Sequence, residues 1–154
     1  MRQIKLTPIT DAEYDILHEM MHRYFLEINS YESHPEDIDI YFDLYWPALF
    51  EDIEYRELLW ITYNNKNVGF TIIRILPDWP DSKQTIASIA EFYIEPTSRR
   101  SGIGTAAISL LLDDHRERGT ALVEADILIN NEPATKFWKN LGFQVQYLQT
   151  GRKP

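Results

Sequence analysis

The segment Phe92-Tyr93-Ile94-Glu95-Pro96-Thr97-Ser98-Arg99-Arg100-Ser101-Gly102-Ile103-Gly104-Thr105 constrains this chain more than any other. Thr85 to Ile94 reads as a strand, closed by Pro96. Gly104 to Arg118 reads as a helix, with Ile108, Leu111, Leu112 and His115 on its buried side and Gly119 as its stop. A basic, glycine-bearing turn joins the two. Gly102 and Gly104 let the backbone approach a ligand with no Cβ in the way. The first N–H groups of a helix lack acceptors and carry roughly half a positive charge. Arg99 and Arg100 add full charges. The sum is an anion site suited to a diphosphate. The same residues also fit a tight strand-to-helix turn with no ligand. A dinucleotide fingerprint fits worse, because its third glycine would fall on Ala107 and the strand is not the first.

The other elements follow from periodicity. Ile4 to Ile9 reads as a strand. Thr10 and Glu13 have capping-box spacing before a helix whose buried stripe is Leu17, Met20, Met21, Tyr24 and Phe25. Asn29-Ser30 ends that helix, and Pro35 marks the first turn of a second. Ile38, Tyr41, Phe42, Tyr45 and Leu49 form its apolar face, and Pro47 disturbs its end. Leu58 to Tyr63 and Val68 to Ile75 form a hairpin around Asn64-Asn65-Lys66-Asn67. Leu122 to Ile129 is a fifth strand, Ala134 to Asn140 a short helix, and Phe143 to Leu148 a last strand. The order is β-α-α-β-β-β-α-β-α-β. With no repeat or linker, residues 1–154 read as one mixed α/β domain.

Composition narrows the chemistry. The chain has no cysteine, which removes disulfides, zinc–thiolate sites and a cysteine nucleophile. Its net charge of −9 argues against DNA or RNA, whose binding runs on Lys and Arg contacts to phosphates. No apolar run is long enough to span a bilayer, and no apolar signal core follows Met1. A cytoplasmic protein with no membrane partner is the expectation.

Arg99-Arg100-Ser101-Gly102-Ile103-Gly104 resembles the Arg/Gln-x-x-Gly-x-Gly/Ala signature of the GNAT acetyltransferases. Glu91-Phe92-Tyr93-Ile94-Glu95-Pro96 resembles that family's fourth strand. Asn131-Glu132-Pro133-Ala134-Thr135-Lys136-Phe137-Trp138-Lys139-Asn140-Leu141-Gly142-Phe143 is similar to its Asn-x-x-Ala-x-x-Phe-Tyr-x-x-x-Gly-Phe motif. The resemblance implies a GNAT fold, acetyl-CoA as cosubstrate, no metal, and an amine acceptor. It implies that the backbone of Phe92, Tyr93 and Ile94 pairs with the pantetheine arm. It places the diphosphate on the residues Arg99, Arg100, Ser101, Gly102, Ile103, Gly104 and Thr105. It places Asn131, Phe137 and Trp138 beside the cofactor. Asn131 also suits a helix cap before Glu132-Pro133. Similar proteins are often dimers, so a homodimer is the expectation by analogy.

An amine with a pKa near 10.4 must lose a proton before it attacks a thioester. Strand alternation puts Ile89, Glu91, Tyr93 and Glu95 on one face, and Ala90, Phe92 and Ile94 on the other. Glu91 is the expected general base, with a place in a surface ladder as the other reading. Many family members carry a tyrosine that protonates the departing thiolate. This chain has Trp138 there, and an indole cannot supply that proton. Water, Tyr93 or Tyr147 could serve, and Trp138 also reads as core. With no cysteine, direct attack in a ternary complex is expected.

The segment from Glu27 to Glu54 is rich in acids and aromatics, including Glu32, Glu36, Asp37, Asp39, Tyr41, Asp43, Tyr45 and Trp46. Glu32, Tyr41 and Tyr45 are expected to border an acceptor cleft suited to a cationic small-molecule amine. The alternatives are a solvated helix face over an aromatic stripe, an enzyme for protein N-termini or lysines, and a non-catalytic acetyl-CoA sensor.

Overall fold

The computed structural model describes residues 3–154. Five strands form one sheet in the order β1-β2-β3-β4-β5: β1 Ile4–Pro8, β2 Arg56–Tyr63, β3 Lys66–Asp78, β4 Asp81–Ile94 and β5 Leu122–Ala125. The pairs β1–β2, β2–β3 and β3–β4 are antiparallel, and β4–β5 is parallel. The helices are α1 Tyr14–Asn29, α2 Ile38–Leu49, α3 Ile103–Glu117 and α4 Glu132–Asn140.

Local chemistry explains most boundaries. The Glu13 carboxylate accepts hydrogen bonds from the Thr10 backbone N–H and hydroxyl, as the capping-box spacing predicts. It also accepts from the Trp60 indole N–H at 3.0 Å, which ties the start of α1 to β2. α2 starts at Ile38, not in the turn after Pro35. The Asp37 carboxylate accepts from the N–H groups of Asp39 and Ile40, so the cap sets the start. Pro47 lies inside α2, which runs on to Leu49. Asn64 and Asn65 both take left-handed φ values and turn β2 into β3.

The two faces of the sheet carry separate cores. One packs Leu17, Met21, Tyr24 and Phe25 of α1 and Phe42 and Leu49 of α2 on Leu58, Trp60, Phe70, Ile72 and Tyr93. The other packs Ile108 and Leu111 of α3 and Trp138 of α4 on Ile73, Ala87 and Ile89. His115 is buried there, with Nδ1 2.8 Å from the Thr120 hydroxyl.

Two expectations about strands need correction. β5 ends at Ala125, short of Ile129. The strand expected from Phe143 to Leu148 is absent among the described residues. A strand needs a ladder partner and a face to cover. β5 offers only a four-residue edge. Phe143 packs on Trp138 at 4.9 Å between ring centroids, but Val145, Tyr147 and Leu148 stay exposed. The apolar alternation therefore finds nothing to bury it.

Candidate active site

The site forms where β4 and β5 part. β5 pairs with β4 only from Ile86↔Leu122 to Ile89↔Ala125. No described strand lies on that side of β4 from Ala90 to Ile94. Backbone groups along that edge have no strand partner among the described residues, and the Ile94 carbonyl accepts from Arg99 Nε, so the rest of the edge could receive an extended ligand.

A bulge sets the side chains at the same point. Ile72 pairs with Glu91 and Ile73 with Ile89, so Ala90 is an extra residue. It breaks the simple alternation. Ile89 joins Ile73 and Ala87 in the core under α3 and α4, whereas Glu91 faces α1 and α2. The expected shared face of Ile89 and Glu91 is thus corrected, and the bulge is the reason.

Glu91 reaches into the aromatic layer. Its carboxylate accepts from the Tyr24 hydroxyl at one oxygen and from the Tyr45 hydroxyl, 3.4 Å away, at the other. Burial pushes its pKa up to about 7, against the two tyrosine hydrogen bonds, which favour the ionised form. Asp126 adds to the rise and Arg56 opposes it. Burial also drives the Tyr45 and Tyr24 hydroxyls upward, with Glu91 next in effect. Tyr41 stacks on Tyr45 with centroids 6.1 Å apart. Burial raises Tyr41, and Glu91, Glu36 and Glu32 add to it. Tyr41, Tyr45 and Glu91 thus share one neighbourhood, and exposed Glu32 acts on it only through its charge. Elsewhere in the acidic segment, Asp37 caps α2 and Asp39 meets His22 Nε2 at 3.0 Å.

Tyr93 is buried on the same face, packed on Tyr24 and Phe70. Its hydroxyl lies 3.3 Å from a Glu95 oxygen, and burial, then Glu95, raise its pKa. Tyr147 is exposed at the far end of the chain. Trp138 is core: it packs edge-on against Phe92, Phe137 and Phe143.

The turn beyond β4 opens α3 through its backbone conformation, with no side-chain cap. Gly102 takes φ 84° and caps α3 with no side chain, a conformation that favours glycine. Arg100 is also left-handed, at φ 59°. The first helical bond runs from the Ala106 N–H to the Gly102 carbonyl. The N–H groups of Ile103, Gly104 and Thr105 therefore precede the helical ladder. A Cβ on Gly104 would lie 3.2 Å from the Phe137 ring, so glycine lets α3 close on α4. The Phe137 ring in turn stacks on Phe92 at 5.6 Å.

The two arginines differ in use. Arg99 donates twice to Glu27 at 2.6 Å and through Nε to the Ile94 carbonyl at 2.7 Å. Its guanidinium locks the end of β4 to α1. Arg100 is exposed at the turn. The Ser101 hydroxyl donates to the Ser98 carbonyl. The Asn131 side-chain oxygen accepts from the Ala134 N–H, so it caps α4. The loop before it is tied to the segment after α1, where the Asn130 amide donates to the Tyr31 carbonyl at 3.2 Å.

Sequence reading missed Tyr24, Arg56 and Asp126. Tyr24 was legible only as one residue of a buried helical stripe. Arg56 and Asp126 carried no local signal.

Among the described residues, no three His, Asp or Glu side chains gather as a metal-binding set. No described helix is long and apolar enough to cross a membrane.

Comparison with known proteins follows the same lines. An uncharacterised N-acetyltransferase of Methanocaldococcus jannaschii is 28% identical over 75% of this chain and 60% of its own. The ribosomal protein bS18-alanine N-acetyltransferase of Escherichia coli K12 is 29% identical over 54% of this chain and 51% of its own. The chain thus spans between half and two thirds of these relatives. Among solved structures, YycN of Bacillus subtilis has a TM-score of 0.79 at 22% identity and 99% coverage of both chains. A ribosomal-protein-alanine N-acetyltransferase of Brucella melitensis has a TM-score of 0.71 at 18% identity, again with 99% coverage of both. The sequence model of the acetyltransferase (GNAT) family matches residues 14–143. With that match over most of its length, the chain belongs to the GNAT acetyltransferase family.

Proposed function

We propose that this protein transfers the acetyl group of acetyl-CoA to a primary amine by direct attack in a ternary complex. The observation that carries the reading is Glu91: a carboxyl shifted to about 7, held by two tyrosines at the point where β4 and β5 separate. Acetyl-CoA supplies the acetyl group as a thioester. The N–H groups of Ile103, Gly104 and Thr105, with Arg100, hold its diphosphate. Arg99 acts by fixing the turn, through the Glu27 bridge and its bond to the Ile94 carbonyl. The open edge of Phe92, Tyr93 and Ile94 takes the pantetheine arm. One N–H from Phe92 or Ile94 faces the thioester oxygen, where aimed donors are worth about 3 kcal/mol.

The acceptor arrives as an ammonium ion, and Glu91 removes its proton, directly or through one water. A carboxylate that titrates near 7 is a few-hundred-fold stronger base than an ordinary one by roughly 2.5 pKa units. Tyr24 and Tyr45 hold the carboxylate in place. Their raised pKa values make them poor proton donors. The thiolate leaves without full protonation, since a thiol pKa near 8.5 permits it. Glu32, Tyr41 and Tyr45 border the acceptor, and the acids beside Tyr41 favour a cationic small molecule.

A second reading draws on the bS18-alanine and ribosomal-protein-alanine enzymes among the similar proteins: a protein N-terminal amine as acceptor. Thiol release across a panel of small amines and N-terminal peptides tests both. The expected result is intersecting initial-rate lines with a small primary amine. Parallel lines would refute the ternary complex. Turnover with peptides alone would favour the second reading.

A further inference from the structure

Arg56 acts on Glu91 through its charge and has no part in the chemistry above. Arg56 opens β2, two residues before Leu58 and so on the same face of the sheet, the one covered by α1 and α2. Leu58 pairs with Ile72, and Ile72 with Glu91. Arg56 therefore sits one step along the sheet from the row that ends in Glu91. The next row runs from Arg56 to Arg74 and on to Ser88.

Arg56 is partly buried, and its Nε is fully enclosed with no hydrogen-bond partner. It forms no ion pair among the described residues, although Arg23, Arg99, Arg116 and Arg118 all do. It is near enough to Glu91 and Tyr45 to favour their ionised forms, yet bonded to neither. An enclosed guanidinium nitrogen without an acceptor leaves its lost hydration uncompensated. Such a group in a folded protein calls for a partner. A planar guanidinium is matched by a carboxylate, which it grips with two hydrogen bonds.

We propose that Arg56 is the specificity determinant for the acceptor, binding a carboxylate that the acceptor carries a few atoms from the amine it presents to Glu91. The acceptor class is then a small amino acid or a close analogue, cationic at the reacting nitrogen and anionic beside it. The inference rests on the acetyl-transfer reading and adds the second half of the acceptor to it. A peptide N-terminus, whose first residue has no free α-carboxylate, would leave Arg56 unpartnered.

The test compares matched acceptors: amino acids, their amides, and the amines that remain when the carboxylate is removed. Thiol release is measured with the wild-type chain, Arg56→Lys, Arg56→Met and Glu91→Gln. The wild type should prefer the acid over its amide by about 10- to 100-fold in kcat/KM, the range for a charged hydrogen bond. That preference should lie in KM. Arg56→Met should bring the ratio close to one, and Arg56→Lys should restore part of it. Glu91→Gln should slow every acceptor in proportion and leave the ratio intact. Calorimetry on the CoA-loaded protein gives an independent arm. N-acetyl amino acids should bind more tightly than N-acetyl amines, and only while Arg56 is present. An equal rate for acid and amide, an Arg56 effect shared by both, or equal binding of the two products would overturn the assignment. A normal rate in Glu91→Gln would remove Glu91 as the base, and no thiol release with any amine would instead sink the acetyl-transfer reading on which the assignment stands.

Discussion

Glu91→Gln should lower kcat by about 10²- to 10⁴-fold while acetyl-CoA affinity stays within about twofold, because a positioned base is worth that much. The amide keeps the size of the side chain and can still meet Tyr24 and Tyr45. It cannot take a proton. In the wild type, log kcat should rise with unit slope as pH increases and level off near 7, where the Glu91 carboxyl becomes ionised. The variant should lose that inflection. A wild-type profile that levels off near 4.5 would mean that an ordinary exposed carboxylate controls the rate. Stability should move the other way. The folded pKa of Glu91 is raised above its unfolded value. Its favourable contribution is therefore complete below about 4.5 and is lost as pH rises through about 7. At pH 8, Glu91→Gln should melt at a higher temperature than the wild type, the usual exchange of stability for a poised catalytic group.

The second large effect concerns the turn at the start of α3. Thr105 is exposed in the first turn of that helix. A carboxylate there suits the helix dipole, so Thr105→Glu should leave the melting temperature unchanged or raise it slightly. The same charge would face the diphosphate. Like charges about 4 Å apart repel by about 1–4 kcal/mol between water and a partly enclosed site. Affinity for acetyl-CoA should fall on the order of 10²-fold. Loss of binding with intact folding separates this test from a simple packing defect. Full affinity in Thr105→Glu would mean that the diphosphate does not sit at this helix end.

The parts of the site that depend on short stretches of chain were legible in the sequence. The strand-to-helix turn at Gly102 follows from neighbours within a few residues, whereas the closeness of Gly104 to Phe137 does not. The Thr10–Glu13 cap and the Asn64–Asn65 turn are local in the same way as the first. Glu91 stands out in the sequence as the expected base, but its hydrogen-bond partners do not. Tyr24 is 67 residues away and Tyr45 is 46 away, and only the packing of α1 and α2 on the sheet brings them to it. The bulge at Ala90 was invisible, since nothing in Ser88-Ile89-Ala90-Glu91 departs from a regular strand. Arg99 showed the limit of reading charge alone. It lies in the signature, yet its guanidinium binds Glu27 and a backbone carbonyl. The segment from Phe143 to Leu148 failed for a related reason. Its alternation is genuine, but a strand exists only where another edge receives it.

Calorimetric titration with acetyl-CoA and with S-acetylpantetheine tests the central claim most directly. The two ligands share the thioester and the arm that would line β4, and only the first has the diphosphate. Binding of acetyl-CoA, with S-acetylpantetheine weaker by about 10²-fold or more, is the predicted result. Equal affinity for the two, or no heat with either on a folded sample, would contradict it.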